Sequence, residues 1–171
     1  YRRQGVELLD IDGGEPTMNP ELVPLVRYAR AIGYRRVNVT TNGRLCAYPD
    51  FAGKLLDSGV TSVLFSIHGA DARTHAAQVG VAEAFDQSVA GIRNAVALAD
   101  GTVELGMNTT VTKGNAAQLP AIAELALALG LRWLNIQFLT PFGRATRMVA
   151  PDTAEAAAVA ERVIDEFGTR M

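Results

Sequence analysis

Thiols are nearly absent: Cys46 is the single cysteine among 171 residues. A lone thiol excludes an internal disulfide framework and fits a reducing cytosol. An excess of one charge is lacking as well, since 16 basic residues against 18 acidic leave a formal net charge of −2. That balance offers no polycationic face, so nucleic acid is not an expected partner. No apolar run approaches the ~20 residues of a membrane-crossing helix; the stretch from Ile122 to Leu131 is short and interrupted by Glu124. No membrane partner is expected, and the cytoplasm is the expected setting. Linkers rich in proline or serine, charge blocks and low-complexity segments are missing, which reads as one domain over residues 1–171. The chain opens on Tyr1, without an initiator methionine or a signal-peptide pattern, and is read as a piece of a longer protein.

What is present is a repeating alternation of apolar runs and helical stripes. With 49% apolar and 20% charged residues the chain has the makings of a substantial core. Runs rich in β-branched residues fall at Val6–Ile11, Val37–Thr41, Val63–Ile67, Val103–Val111 and Leu134–Leu139, and are read as five strands buried on both faces. Helical spacing joins Leu22, Leu25, Val26, Ala29 and Ile32 ahead of Gly33, and Ala52, Leu55 and Leu56 ahead of Gly59. Three further stripes run through Phe85–Val96, Leu119–Leu129 and Val159–Phe167. Asn19 before Pro20 is read as a helix N-cap with proline in the first turn, and Asp152 with Glu155 has capping-box spacing. Strand starts lie about 25 to 40 residues apart, the length of one βα unit, so parallel strands with right-handed crossovers are expected.

In such folds ligands lie at the C-terminal ends of the strands. The polar residues there are Asp12-Gly13-Gly14-Glu15, Thr40-Thr41-Asn42-Gly43, Ser66-Ile67-His68, then Asn108, Thr110 and Lys113, and finally Gln137, Thr140, Pro141 and Gly143. Gly13-Gly14-Glu15-Pro16-Thr17 is the most informative stretch. Two adjacent glycines let backbone groups approach a ligand closely, and Glu15 adds a carboxylate that would suit a cationic amine. An ordinary strand-to-helix turn accounts for the same glycines.

Taken in order, Gly13 to Thr17, Thr41-Asn42-Gly43, Ser66-Ile67-His68-Gly69, Asn108 to Asn115 and Leu139 to Arg144 resemble the radical S-adenosylmethionine (radical SAM) superfamily. The similarity extends across essentially the whole chain and is nearest to the branch holding the molybdenum-cofactor cyclase and the peptide-modifying enzymes with auxiliary clusters. The resemblance implies an α/β fold, a partial (β/α)6 TIM-type barrel whose second to sixth βα units are present here. It implies S-adenosylmethionine and a [4Fe-4S] cluster as cofactors, and a 5′-deoxyadenosyl radical that abstracts hydrogen from a substrate. The Gly13-Gly14-Glu15-Pro16 turn would meet the methionine amino group, Ser66 the carboxylate or ribose, Asn108 the ribose, and backbone near Thr140 the adenine. The implied partners are a small-molecule or peptide substrate, with peptide modification favoured, and a cellular electron donor for the cluster.

Two departures from the family pattern stand out. The signature Cys-x3-Cys-x2-Cys is absent, and Cys46 alone cannot hold a cluster that needs three thiolates. The glycine turn follows the second strand in the family, so the cysteine segment is expected upstream of Tyr1, and the chain alone is expected to be inactive. Some relatives also grip the SAM carboxylate with an arginine on the helix after the third strand seen here, whereas His75 to Gly80 carries no cation. A non-catalytic βα domain that binds SAM or a partner, and an unrelated (β/α) barrel enzyme, are the competing readings.

Single residues carry further expectations. Asn42 and Gln137 are candidate substrate or cosubstrate contacts, Lys113 would reach an anionic group, and His68 is either an acid, base or donor, or a hydrogen-bonded structural residue. His75 is read as solvated, Cys46 as inert, and Arg144 and Arg147 as solvated rim residues. Trp133 opens the last strand and is read as packing.

Overall fold

The computed structural model describes residues 1–140, 146 and 148–170. All five apolar runs form strands: β1 (Leu8–Ile11), β2 (Arg36–Thr41), β3 (Ser62–Ser66), β4 (Glu104–Val111) and β5 (Trp133–Phe138). They make a parallel sheet of order β1-β2-β3-β4-β5. Leu9 pairs with Val37, and Val39 with Val63, so the β-branched runs are in register. Helices connect them: α1 (Leu22–Ala31), α2 (Pro49–Leu56), α3 (Ala72–Val79), α4 (Ala84–Leu98), α5 (Leu119–Ala128) and, after β5, α6 (Thr153–Phe167). A helix after each strand is what parallel pairing requires, because the chain must return to the same end of the sheet.

Contacts divide the chain into two units, residues 1–66 with 87–106, and residues 67–86 with 107–171. In the first, Val26, Val37, Val39, Leu55, Val63, Phe65 and Ile92 are buried, and α1 packs against β2. In the second, Met107, Val111, Leu119, Ile122, Ala126, Val163 and Phe167 fill the core, and α5 packs against α6. Glycines at positive φ end α1 and α2, Gly33 at 96° and Gly59 at 91°, a conformation open to a residue without Cβ.

Three local expectations are corrected. β1 alternates exposed with half-buried residues, Leu8 being 43% exposed, and β5 is half-buried to exposed. Both are edge strands, which expose one side of the pairing ladder and carry fewer covering side chains than the central strands. α1 begins at Leu22 and not at Pro20, and its N-cap is Glu21, without a side-chain cap bond; Asn19 instead accepts from the N–H of Glu21 in the turn preceding the helix. His75 is not solvated; it is 2% exposed. The capping box at Asp152 stands, with its carboxylate accepting from the N–H of Glu155 at 2.9 Å.

Candidate functional site

In the first unit the strand ends are tied together by Glu15. Oε1 of Glu15 accepts from the Thr17 N–H at 3.1 Å, the Thr17 hydroxyl at 2.6 Å and the Thr41 hydroxyl at 2.5 Å, while Oε2 accepts from the Asn42 N–H at 2.7 Å. Four donors occupy a carboxylate with about four lone-pair sites. The acid that the sequence suggested for a ligand amine is therefore committed to fixing the turn after β1 against the end of β2. What the motif leaves open is its backbone. Gly13 lies at φ 99°, Gly14 has ordinary φ, and no atom lies within 4 Å of the point where either Cβ would stand. Pro16 opens a short 3-10 turn, Pro16–Met18, capped by Glu15.

The turn after β2 is equally determined. Thr41 is buried, and its hydroxyl accepts from the Gly43 N–H at 3.1 Å. Asn42 uses its side-chain oxygen to cap the N–H of Arg44, and its carbonyl accepts from Ser88. Arg44 Nε donates to Gln87 at 2.6 Å. Gly91 on α4 lets this turn approach, since a Cβ there would stand 2.1 Å from the Gly43 carbonyl oxygen. A cavity of about 600 Å³ opens beside these residues, lined by Glu15, Thr17, Asn42, Arg44, Tyr48 and Gln87. Cys46, 1% exposed, has its thiol pushed up to about 12 by burial and then by the Glu15 charge, in keeping with an inert residue. Ser66 ends β3 half-buried.

In the second unit the segment after β3 folds onto β4. The His68 ring accepts from the Thr110 N–H, and the His75 ring from the His68 N–H. Asn115 donates to the carbonyls of His68 and Thr110, 2.9 Å each, and Gln118 accepts from Ala70. Asn108 is buried, with its side-chain oxygen accepting from the Asn135 amide at 2.9 Å. Gln137 and Thr140 are exposed, on and just after β5. Exposed Lys113 lines a cavity of about 640 Å³ with Arg73, Thr74, Gln78, Thr112 and Val149. Arg73 is a cation that inspection of His75 to Gly80 missed, because α3 begins at Ala72. Its signal was Asp71, whose carboxylate caps α3 at the Thr74 N–H and marks the helix start. Trp133 is half-buried, and its indole N–H is buried without a partner among the described residues. Pro141, Phe142, Gly143, Arg144 and Arg147 lie outside the described residues.

The pattern of the Radical SAM superfamily matches residues 1–113. The chain belongs to that superfamily. Over 140 residues it is 36% identical to an AdoMet-dependent heme synthase of Methanosarcina barkeri, covering 82% of this chain and 39% of the relative. Over 139 residues it is 34% identical to a probable GTP 3′,8-cyclase of Saccharolobus islandicus, covering 81% and 44%. The radical SAM chain thus spans about two-fifths of the length of these curated relatives. SuiB of Streptococcus suis bound to S-adenosylmethionine superposes with TM-score 0.79 at 18% identity, covering 95% of this chain and 37% of that one, which shows a shared fold.

The two cofactors of a radical SAM protein fare differently against these residues. In the first unit, the open backbone at Gly13-Gly14 presents carbonyls of a kind that fit the ammonium group of S-adenosylmethionine. A cluster ligand set does not fit: the one thiol is buried, and no group of three metal-binding side chains occurs among the described residues. No helix of the described residues is long and apolar enough to cross a membrane.

Proposed function

We propose that this chain is the S-adenosylmethionine-binding core of a radical SAM enzyme, contributing its second to sixth βα units to a partial (β/α)6 barrel. The observation that carries the reading is the Gly13-Gly14 turn: a backbone without side chains, clear of atoms on its Cβ side and tied to the end of β2 through the adjacent Glu15. A turn fixed before the ligand arrives spends none of the binding energy on ordering. In the first unit the glycine carbonyls would receive the methionine ammonium, and Ser66 would donate to the carboxylate or ribose. In the second, the Asn108 amide would donate to the ribose, and backbone at Thr140 would border the adenine. Asn42, Lys113 and Gln137 are the proposed substrate contacts.

S-adenosylmethionine held there would supply hydrogen-abstracting radical chemistry once a reductant is provided. This chain's own residues would bind and orient it. The thiolates for a [4Fe-4S] cluster are proposed to lie outside this chain, with a cellular reductant as partner, a small molecule or peptide as substrate, and the cytoplasm as setting.

The test is anaerobic reconstitution of the full-length protein with iron, sulfide and reductant, followed by quantitation of 5′-deoxyadenosine from S-adenosylmethionine. Production above the protein-free control is expected. Tight binding of S-adenosylmethionine to an iron-free, colourless protein without cleavage would replace this reading with a non-catalytic binding domain.

A further inference from the structure

The second unit contains two histidines whose protonation pattern is dictated by backbone. The Thr110 N–H donates to Nδ1 of His68 at 3.1 Å, and the His68 N–H donates to Nδ1 of His75 at 3.0 Å. A backbone amide can only donate, so each Nδ1 must offer a lone pair, and each neutral ring must carry its hydrogen on Nε2. A ring in that state has no free lone pair for a metal ion or for accepting a proton.

Adding a second proton to either ring is opposed by the surroundings. The rings stack with centroids 5.8 Å apart and planes at 20°, and Phe85 lies against His75 at 6.0 Å. Burial, reinforced for His68 by His75, pushes both groups down to about 4. The pair stays uncharged at neutral pH.

The two rings differ in what remains available. His75 is 2% exposed and serves the fold. His68 is half-buried, and its Nε2 bonds nothing among the described residues. Its place is set from several sides. Asn115 clamps the carbonyls of His68 and Thr110, and Gln78 also donates to the Thr110 carbonyl. At Gly69 a Cβ would stand 2.6 Å from the His75 nitrogen, so the backbone has closed onto α3. A donor held this firmly needs no reorganisation on meeting an acceptor. Thr110 stands two residues beyond Asn108, roughly 7 Å along the strand, which is within the length of one nucleoside.

We infer that His68 is a ligand-binding residue whose Nε2–H, uncharged and fixed in one tautomer, donates a hydrogen bond to a carboxylate or hydroxyl oxygen of bound S-adenosylmethionine. This rests on the reading that the cofactor binds at the strand ends. His68 is thereby a positioning donor and not the acid, base or metal ligand that a histidine at a strand end suggests.

The experiment is two-bond 1H–15N correlation on the full-length protein labelled in histidine, with the His68→Gln variant assigning the signal. Without ligand at neutral pH, His68 and His75 both show the Nε2–H pattern. On adding S-adenosylmethionine, the His68 Nε2 proton moves downfield and exchanges more slowly, while His75 stays in place. In binding titrations His68→Phe weakens the cofactor roughly 10-fold, and His68→Gln, which keeps a side-chain N–H, recovers part of that loss. Cofactor binding that leaves the His68 signal unmoved, or an Nδ1–H tautomer in the free protein, overturns the inference while the binding reading stands. Absence of any cofactor binding overturns both.

Discussion

The Thr41 hydroxyl donates to Oε1 of Glu15 at 2.5 Å, joining the turn after β1 to the end of β2 across 26 residues of sequence. The same hydroxyl accepts from the Gly43 N–H, so one buried side chain positions both turns. Thr41→Val keeps the shape and removes both bonds. Leaving a carboxylate oxygen short of a donor and an amide without an acceptor costs about 1–3 kcal/mol. Urea denaturation of Thr41→Val reads that loss directly, and an unchanged midpoint would show that the tie contributes nothing.

The two glycines of the turn separate by conformation. Gly13 sits at φ 99°, where a side chain is strained, and Gly14 does not. Gly13→Ala is expected to destabilise the fold by about 1–2 kcal/mol, whereas Gly14→Ala meets no atom within 4 Å and should leave the melting temperature unchanged. Equal losses from the two would contradict the described backbone.

Gly91 is the tightest close approach in the first unit. The Cβ of Gly91→Ala would fall 2.1 Å from the Gly43 carbonyl oxygen and 3.1 Å from Cys46 Cβ, and neither neighbour is the end of a flexible side chain. A loss of about 3 kcal/mol is expected from such overpacking. Thermal unfolding tests it, and a variant as stable as the parent would refute the packing of α4 on that turn.

The histidine pair predicts how stability responds to pH. Both rings fall from an ordinary 6.5 to about 4 in the folded chain. Between these values the unfolded chain binds protons that the folded chain refuses, so stability is full above about 6.5 and declines as pH falls toward 4. Each unit of separation corresponds to about 1.4 kcal/mol. Asp71 and Asp100 are lowered from 3.8 by hydrogen bonds from Thr74 and Thr102, so their contributions are lost only at more acid pH. Urea midpoints at pH 7 and pH 5 therefore isolate the histidines. The midpoint at pH 5 should be lower, and equal midpoints would contradict the buried neutral pair.

Apolar periodicity made the five strands and their connecting helices legible, because Val37, Val39, Val63 and Phe65 are buried for the reason their pattern suggests. It was silent on His75, which stands among alanines and polar residues along α3. That ring is covered by groups outside α3, Phe85 of α4 and the amide of His68. Glu15 stood out in the sequence, but its partners did not: a carboxylate beside two glycines looks like a ligand group until Thr41 and Asn42 arrive from the next strand. Arg73 escaped because the start of α3 is marked by the Asp71 cap and not by apolar spacing.

The central claim is that the Gly13-Gly14 backbone receives S-adenosylmethionine, and calorimetric titration of the cofactor into the full-length protein and its Gly14→Val variant tests it most directly. The Cβ position at Gly14 is open, with no atom within 4 Å, and an unchanged melting temperature of the variant would assign any loss of affinity to what occupies that space. The account predicts saturable binding to the parent and a loss of roughly 10-fold or more in the variant at unchanged melting temperature. Equal affinity in the two proteins would contradict it.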